Sequence, residues 1–281
     1  MLEQGAPAML GRGRVTPGQN SRPGGERLKG PHLMQPIIFE PTARRIRVEF
    51  NGVMIADSTH AMIKIETPIP VYYLPLSDVR HDLLVASDHT KFCPRKGQAR
   101  FWSIRVADKF AENAVWNYPQ PLPNAPPLAP YAAFAWDAVD HWYEEDEEIF
   151  RHPRNPYKRV DAIRSSRRVQ VIVGGAVVAE TRRAVFLFET GLPTRYYIPS
   201  EDVRPNILQP SERRTRCPYK GVAAYHNVTI GSQRYPDLVW YYPDPIDECR
   251  KITGLLAFFN EKVDAILVDG EAMDKPVTPW S

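Results

Sequence analysis

The chain has 281 residues, 43% of them hydrophobic and 25% charged, with a formal net charge of +3 at pH 7. No run approaches the roughly 20 apolar residues that a spanning helix needs, which excludes one. The excess charge lies in residues 1–33, where five basic residues stand against two acidic ones. The balanced remainder lacks the Lys/Arg concentration that phosphate neutralisation demands, so no nucleic-acid partner is expected.

In chain order, residues 1–33 come first, rich in Gly, Pro, Arg and Gln and without periodic apolar residues. They are expected to be a disordered tail, because they cannot bury enough surface to offset the entropy of ordering. The stretch Ala6-Pro7-Ala8-Met9-Leu10 is too short for a secretory signal core, and Met34 is read as the natural start. The first β domain is expected over 34–140. It opens with Ile46, Val48 and Phe50 alternating with polar residues, then Asn51-Gly52, then Val53-Met54-Ile55-Ala56. Asn-Gly tolerates positive φ at both centres of a type I′ turn, so the pattern predicts a hairpin. Further strands are predicted at Met62 to Glu66, Val71 to Leu74 and Ala99 to Val106. Pro121, Pro123, Pro126, Pro127 and Pro130 then exclude a helix.

Residues 141–164 are expected to form an aromatic and acidic strap. Trp142, Tyr143, Ile149, Phe150 and Tyr157 favour burial, unlike a Gly/Ser linker, while Glu144 to Glu148 face solvent. The second domain, 165–281, repeats the opening hairpin: Val169 to Val173, Gly174-Gly175, then Ala176 to Ala179. Strands follow at Ala184 to Glu189, Arg195 to Ile198 and Val222 to Ile230. A short helix is predicted here, capped by Asp244, with Pro245 in its first turn, Ile246, Cys249 and Ile252 on one face, and Gly254 at its end.

The two domains are one pattern written twice. Glu66-Thr67-Pro68-Ile69-Pro70-Val71-Tyr72-Tyr73-Leu74-Pro75 returns as Glu189-Thr190-Gly191-Leu192-Pro193-Thr194-Arg195-Tyr196-Tyr197-Ile198-Pro199. Asp78-Val79-Arg80 returns as Asp202-Val203-Arg204, Cys93-Pro94 as Cys217-Pro218, and Lys96-Gly97 as Lys220-Gly221. Trp116 and Tyr118-Pro119 return as Trp240 and Tyr242-Pro243. The expected architecture is mainly β: two tandem homologous small domains, each a hairpin-rich sheet or barrel-like, with at most one short helix. A pseudo-two-fold is expected to relate them as an intramolecular pseudo-dimer.

These repeated phrases resemble the family of domain of unknown function 427, from about Arg44 to Gly270. The two-copy form with an acidic linker such as Trp142 to Arg159 is similar to known members. The resemblance implies a compact, mainly β domain with a short helix. The family has also carried a nucleotidyltransferase label. Such transfer pairs carboxylates on a divalent metal, yet Gly231-Ser232 is followed by Asp237, Asp244 and Asp247 at spacings that do not match, and no phosphate-binding Gly-rich loop occurs.

Duplication filters the chemistry. As a reactive group, Cys93 or Cys217 would be activated by Lys96 or Lys220 three residues on; as a structural one, it is a small residue buried beside a turn. His89 lies near Cys93, but Arg213 holds the matching place near Cys217, so there is no shared Cys–His pair. One cysteine per copy, with Cys249 unmatched, leaves too few soft ligands for zinc, and no metal site is assigned. An odd thiol count without paired spacing points to free cysteines and a reducing cytoplasm.

Glu66 with Arg80, and Glu189 with Arg204, are expected either as structural ion pairs or, with Lys96 and Lys220, as the lining of a pocket. Such a pocket would take an anionic or carbonyl-bearing molecule, with Glu as general base and Arg and Lys as electrostatic stabilisers. Within each Tyr-Tyr pair one ring is expected inside and the other, Tyr73 or Tyr197 among the candidates, toward a ligand. Trp102 against His226 is the sharpest break in symmetry. The candidate catalytic set is therefore Glu66, Tyr73, Arg80, Cys93, Lys96, Glu189, Tyr197, Arg204, Cys217 and Lys220. No cofactor is specified, and a scaffold whose paired residues only stabilise folding is the competing reading.

Overall fold

The computed structural model describes residues 36–67 and 69–278. The expected tail and Met34 lie outside the described residues. Among the described residues, eleven strands make each repeat. In the first they are β1 (Ile38–Pro41), β2 (Ile46–Phe50), β3 (Val53–Ser58), β4 (Met62–Ile65), β5 (Val71–Pro75), β6 (Leu84–Cys93), β7 (Gly97–Val106), β8 (Lys109–Asn117), β9 (Tyr131–Phe134), β10 (His141–Glu144) and β11 (Glu147–Ile149). The second runs β12 (Val160–Arg164), β13 (Val169–Val173), β14 (Ala176–Thr181), β15 (Val185–Glu189), β16 (Arg195–Ile198), β17 (Leu208–Cys217), β18 (Gly221–Ile230), β19 (Gln233–Tyr241), β20 (Leu256–Phe258), β21 (Ala265–Val268) and β22 (Glu271–Ala272).

The first repeat forms a seven-stranded antiparallel sheet in the order β1-β4-β5-β9-β8-β7-β6 and a four-stranded sheet β11-β10-β2-β3. The second reproduces both as β12-β15-β16-β20-β19-β18-β17 and β14-β13-β21-β22. The orders are open at both ends, so the barrel-like alternative gives way to paired open sheets. Two such repeats in one chain fit an intramolecular pseudo-dimer.

The hairpins arise as the turn chemistry dictates. Asn51 and Gly52 sit at φ +48° and +72°, and Gly174 and Gly175 at +58° and +73°, the two positive centres that a type I′ turn needs. Their strands alternate as the pattern requires: Ile46, Val48 and Phe50, and Val169, Val171 and Val173, all face the core. A register shift falls at matching places, between Val48 and Glu49 and between Val171 and Ile172. Burial of each such aliphatic side chain contributes about 1.5–3 kcal/mol.

Two expectations need correction. The predicted strap is strand at both ends, because β10 pairs with β2 and β12 with β15, leaving only about 150–159 as connection. That connection touches both repeats: Tyr157 donates to Glu40 Oε2 at 2.6 Å, and Arg154 pairs with Glu248 at 2.8 Å. The predicted helix is a 3-10 helix over Asp247–Ile252, begun by Ile246 without a side-chain cap. Asp244 precedes it, because Pro245 is bridged to Gly221 and that stretch is held extended. Cys249 and Ile252 are buried as expected, and Gly254 turns the chain at φ +68°.

Candidate functional site

The repeated phrase places Glu66 just past β4, and the Cys-Pro-x-Lys-Gly phrase makes the tight turn from β6 to β7. Lys96 N donates to Cys93 O at 3.2 Å, and Lys96 O accepts from Leu122 N at 3.0 Å. Gly97, at φ +105°, lets that second segment pass, since a Cβ there would meet Gln120 O at 3.1 Å. The second repeat does the same with Gly221 at +103° and Asp244 O at 3.2 Å. Backbone crowding thus requires the glycine, and the turn it permits carries the lysine beside the glutamate.

Glu66 collects three cations. Lys64 Nζ lies 2.9 Å and Lys96 Nζ 2.5 Å from the same oxygen, Oε2, while Arg95 meets Oε1 at 3.1 Å. Burial works to raise the Glu66 pKa, but hydrogen bonds from Lys96 and Lys64 and the pull of both ammonium charges hold it at about 2. Burial lowers the Lys64 pKa, Glu66 opposes that, and the neighbouring Lys96 charge adds to the lowering. Lys96 also stands over the Tyr118 ring, 5.9 Å from its centroid. Burial, reinforced by Cys93 and Glu66, pushes the Tyr118 hydroxyl up to about 12.

Tyr73 lies on the same face of the large sheet, within a cluster containing Ala99, Tyr118, Leu128 and Ala133. Tyr72 points to the opposite face, into the core between the sheets, and donates to Glu144 Oε1 at 2.7 Å. Both rings are buried, so the expectation that one reaches outward is corrected: each face of the sheet is itself covered. The same holds for Tyr196 and Tyr197, with Trp240 Nε1 donating to the Tyr197 hydroxyl at 3.1 Å.

In the second repeat Glu189 divides its oxygens, Oε2 to Lys220 at 2.5 Å and Oε1 to Lys158 at 2.9 Å. Lys158 comes from the connecting segment, stands 5.2 Å over the Tyr219 ring, and follows Asn155, whose N donates to the Tyr219 hydroxyl at 2.7 Å. Leu187 takes the place of Lys64, and Tyr219 that of Arg95. Burial works against the Lys220 charge, but Cys217 and Glu189 outweigh it and raise its pKa.

Arg80 and Arg204 do not join these clusters. Arg80 is exposed and pairs with Asp82 at 2.6 Å, and Arg204 is exposed on the equivalent turn. The expected Glu66–Arg80 and Glu189–Arg204 pairs are therefore replaced by lysine pairs, because the Asp-Val-Arg turn carries its arginine away from the glutamate. Cys93 and Cys217 are half-buried free thiols beside the turns, and Cys249, buried, donates to Tyr219 O at 3.3 Å. His226 stacks on Tyr241 at 5.0 Å with its Nδ1 buried and unpartnered, whereas Trp102 packs against the core.

Sequence reasoning missed Lys64, Arg95 and Lys158. Lys64 carried a signal, a lone cation in the apolar run Met62-Ile63-Lys64-Ile65; Lys158 carried none in a linker of mixed charge. It also missed the bidentate pair of Arg195 with Glu261, at 2.8 and 2.6 Å. An open cleft of about 360 Å³ lies elsewhere, lined by Arg44, Arg154, Ile149 and the acidic run Glu144 to Glu147.

The profile of a family described as domain of unknown function DUF427 matches residues 38–145 and again 161–269. The chain belongs to the DUF427 family. No curated protein matches it. The paired matches coincide with the two sets of sheets, so each DUF427 copy is one repeat with its own Glu-Lys cluster. The family's transferase label finds no constellation here: Asp237 accepts from Ser211 at 2.5 Å, Asp247 pairs with Arg250, and no three His, Cys, Asp or Glu side chains converge as metal ligands among the described residues.

Proposed function

We propose that the first repeat binds a small anion through Lys64 and Lys96. The observation that carries this is two ammonium groups aimed at one oxygen of Glu66, with Lys64 destabilised both by burial and by Lys96. A second negative group beside them would relieve that repulsion, and charge-assisted bonds to it are among the stronger ones. A carboxylate held near 2 is a poor proton acceptor at neutral pH, so Glu66 serves as a fixed counter-charge rather than a general base. That favours binding over proton-transfer catalysis.

The scaffold reading suits the second repeat, where each oxygen of Glu189 already has its own lysine and the group is buried. Three free thiols accord with a reducing cytoplasm as the protein's place. Calorimetric titration with inorganic phosphate and with acetate tests the anion site. The expected result is saturable binding of one anion per chain, weakened about tenfold or more by Lys64→Leu, a change the second repeat already carries as Leu187. No saturable binding of either anion, or undiminished binding by Lys64→Leu, overturns it.

A further inference from the structure

The seven-stranded sheet of each repeat carries a row of side chains at one register. In the first, Met62 lies opposite Tyr73, Trp116 opposite both Ala133 and Phe101, and the His89 ring meets Phe101 at 4.6 Å. In the second, the row reads Val185, Tyr197, Ala257, Trp240, Tyr225. In the second repeat Trp240 Nε1 donates to the Tyr197 hydroxyl at 3.1 Å.

The difference lies in what covers the tryptophan. Phe259 packs on Trp240 with ring centroids 4.6 Å apart, and Arg195 stands 5.5 Å over the same ring, fixed by Glu261. The matching positions of the first repeat hold Ala135 and Val71. The match is fixed by the backbone, since Phe259 N bonds Leu238 O and Ala135 N bonds Ala114 O. Trp240 is buried, whereas Trp116 and Phe101 are only half-buried. At these two positions the first repeat has neither the ring nor the cation. Two strand positions on from Trp116, Tyr118 carries Lys96 over its face.

We infer that the anion bound by the first repeat carries a single flat aromatic ring, seated on Trp116 where the second repeat seats its own Phe259. This rests on the anion-site reading above: the ring supplies stacking on Trp116, and the charge meets Lys64 and Lys96. The second repeat is the same platform filled by its own chain.

The test compares phenyl phosphate with methyl phosphate, equal in charge, on the whole chain. Phenyl phosphate is expected to bind about tenfold more tightly, one per chain. Ala135→Phe is expected to remove that preference while leaving methyl phosphate affinity unchanged. Should Ala135→Phe not fold, Ala135→Leu, which covers the same ring face with a smaller apolar side chain, is expected to do the same. Equal affinities for the two phosphates, or a preference that survives in the folded variant, overturn the aromatic assignment while the anion site stands. Failure of both phosphates to bind overturns the anion site itself.

Discussion

Lys158, in the segment between the repeats, ion-pairs with Glu189 at 2.9 Å, so the second repeat is completed by a residue outside its own sheets. Glu66 instead draws Lys64 from β4 and Lys96 from the β6–β7 turn. Lys158→Met leaves the buried Glu189 with Lys220 alone. Truncating one partner of a buried pair costs about 3–5 kcal/mol, and partial exposure of Lys158 reduces this to about 1–2 kcal/mol. Urea unfolding is expected to show that loss, and a smaller one for Lys64→Leu, which leaves Arg95 and Lys96 on Glu66.

Acid stability follows from Glu66. Its folded-state pKa, about 2, lies below the ordinary 4.5, so its ion pairs contribute stability that is complete above about 4.5 and is lost as pH falls toward 2. Glu66→Gln is expected to be less stable than the wild type at pH 7, with the gap closing over that window. Unfolding curves at stepped pH check it; a gap that widens on acidification has the sign wrong.

Backbone crowding at the Lys-Gly turns gives a contrast between glycines. Gly97→Ala places a Cβ 3.1 Å from Gln120 O at φ +105°, whereas Gly52→Ala, at +72°, meets nothing within 4 Å. The first is expected to cost about 2–3 kcal/mol and the second about 1 kcal/mol, read from denaturant midpoints. Gly221→Ala is expected to behave like Gly97→Ala.

Two arginines separate buried from exposed pairing. Arg195→Met strips Glu261, whose side chain is fully buried, of both its guanidinium bonds, and a loss of about 3 kcal/mol is expected. Arg80→Ala removes only an exposed contact with Asp82 and is expected to leave the melting temperature unchanged.

The hairpins at Asn51-Gly52 and Gly174-Gly175, the strands and the duplication were legible because alternation and turn chemistry are local. The partner of Glu66 was not. Arg80 looked suitable in sequence, but its exposed turn carries it to Asp82, and only the β4–β5 pairing with the β6–β7 turn brings Lys64 and Lys96 together. The strap was half legible: Trp142 is buried as its ring demands, inside the first repeat and stacked on Trp136 at 4.7 Å through pairing of β10 with a strand about 90 residues earlier, whereas Phe150 and Tyr157 are exposed and Glu144, expected to face solvent, is buried. The helix was misplaced by a tertiary contact, the bridge from Gly221 to Pro245, that no window around Asp244 contains.

The most direct measurement is anomalous scattering from crystals soaked in selenate, a tetrahedral anion with its own X-ray edge. A selenium peak between Lys64 and Lys96 in the first repeat, with none at Glu189 where Lys158 and Lys220 occupy both oxygens, is the outcome expected of one anion-binding repeat and one self-completed repeat. Equal peaks at the two glutamates, or no peak beside Lys64 and Lys96, contradict that division.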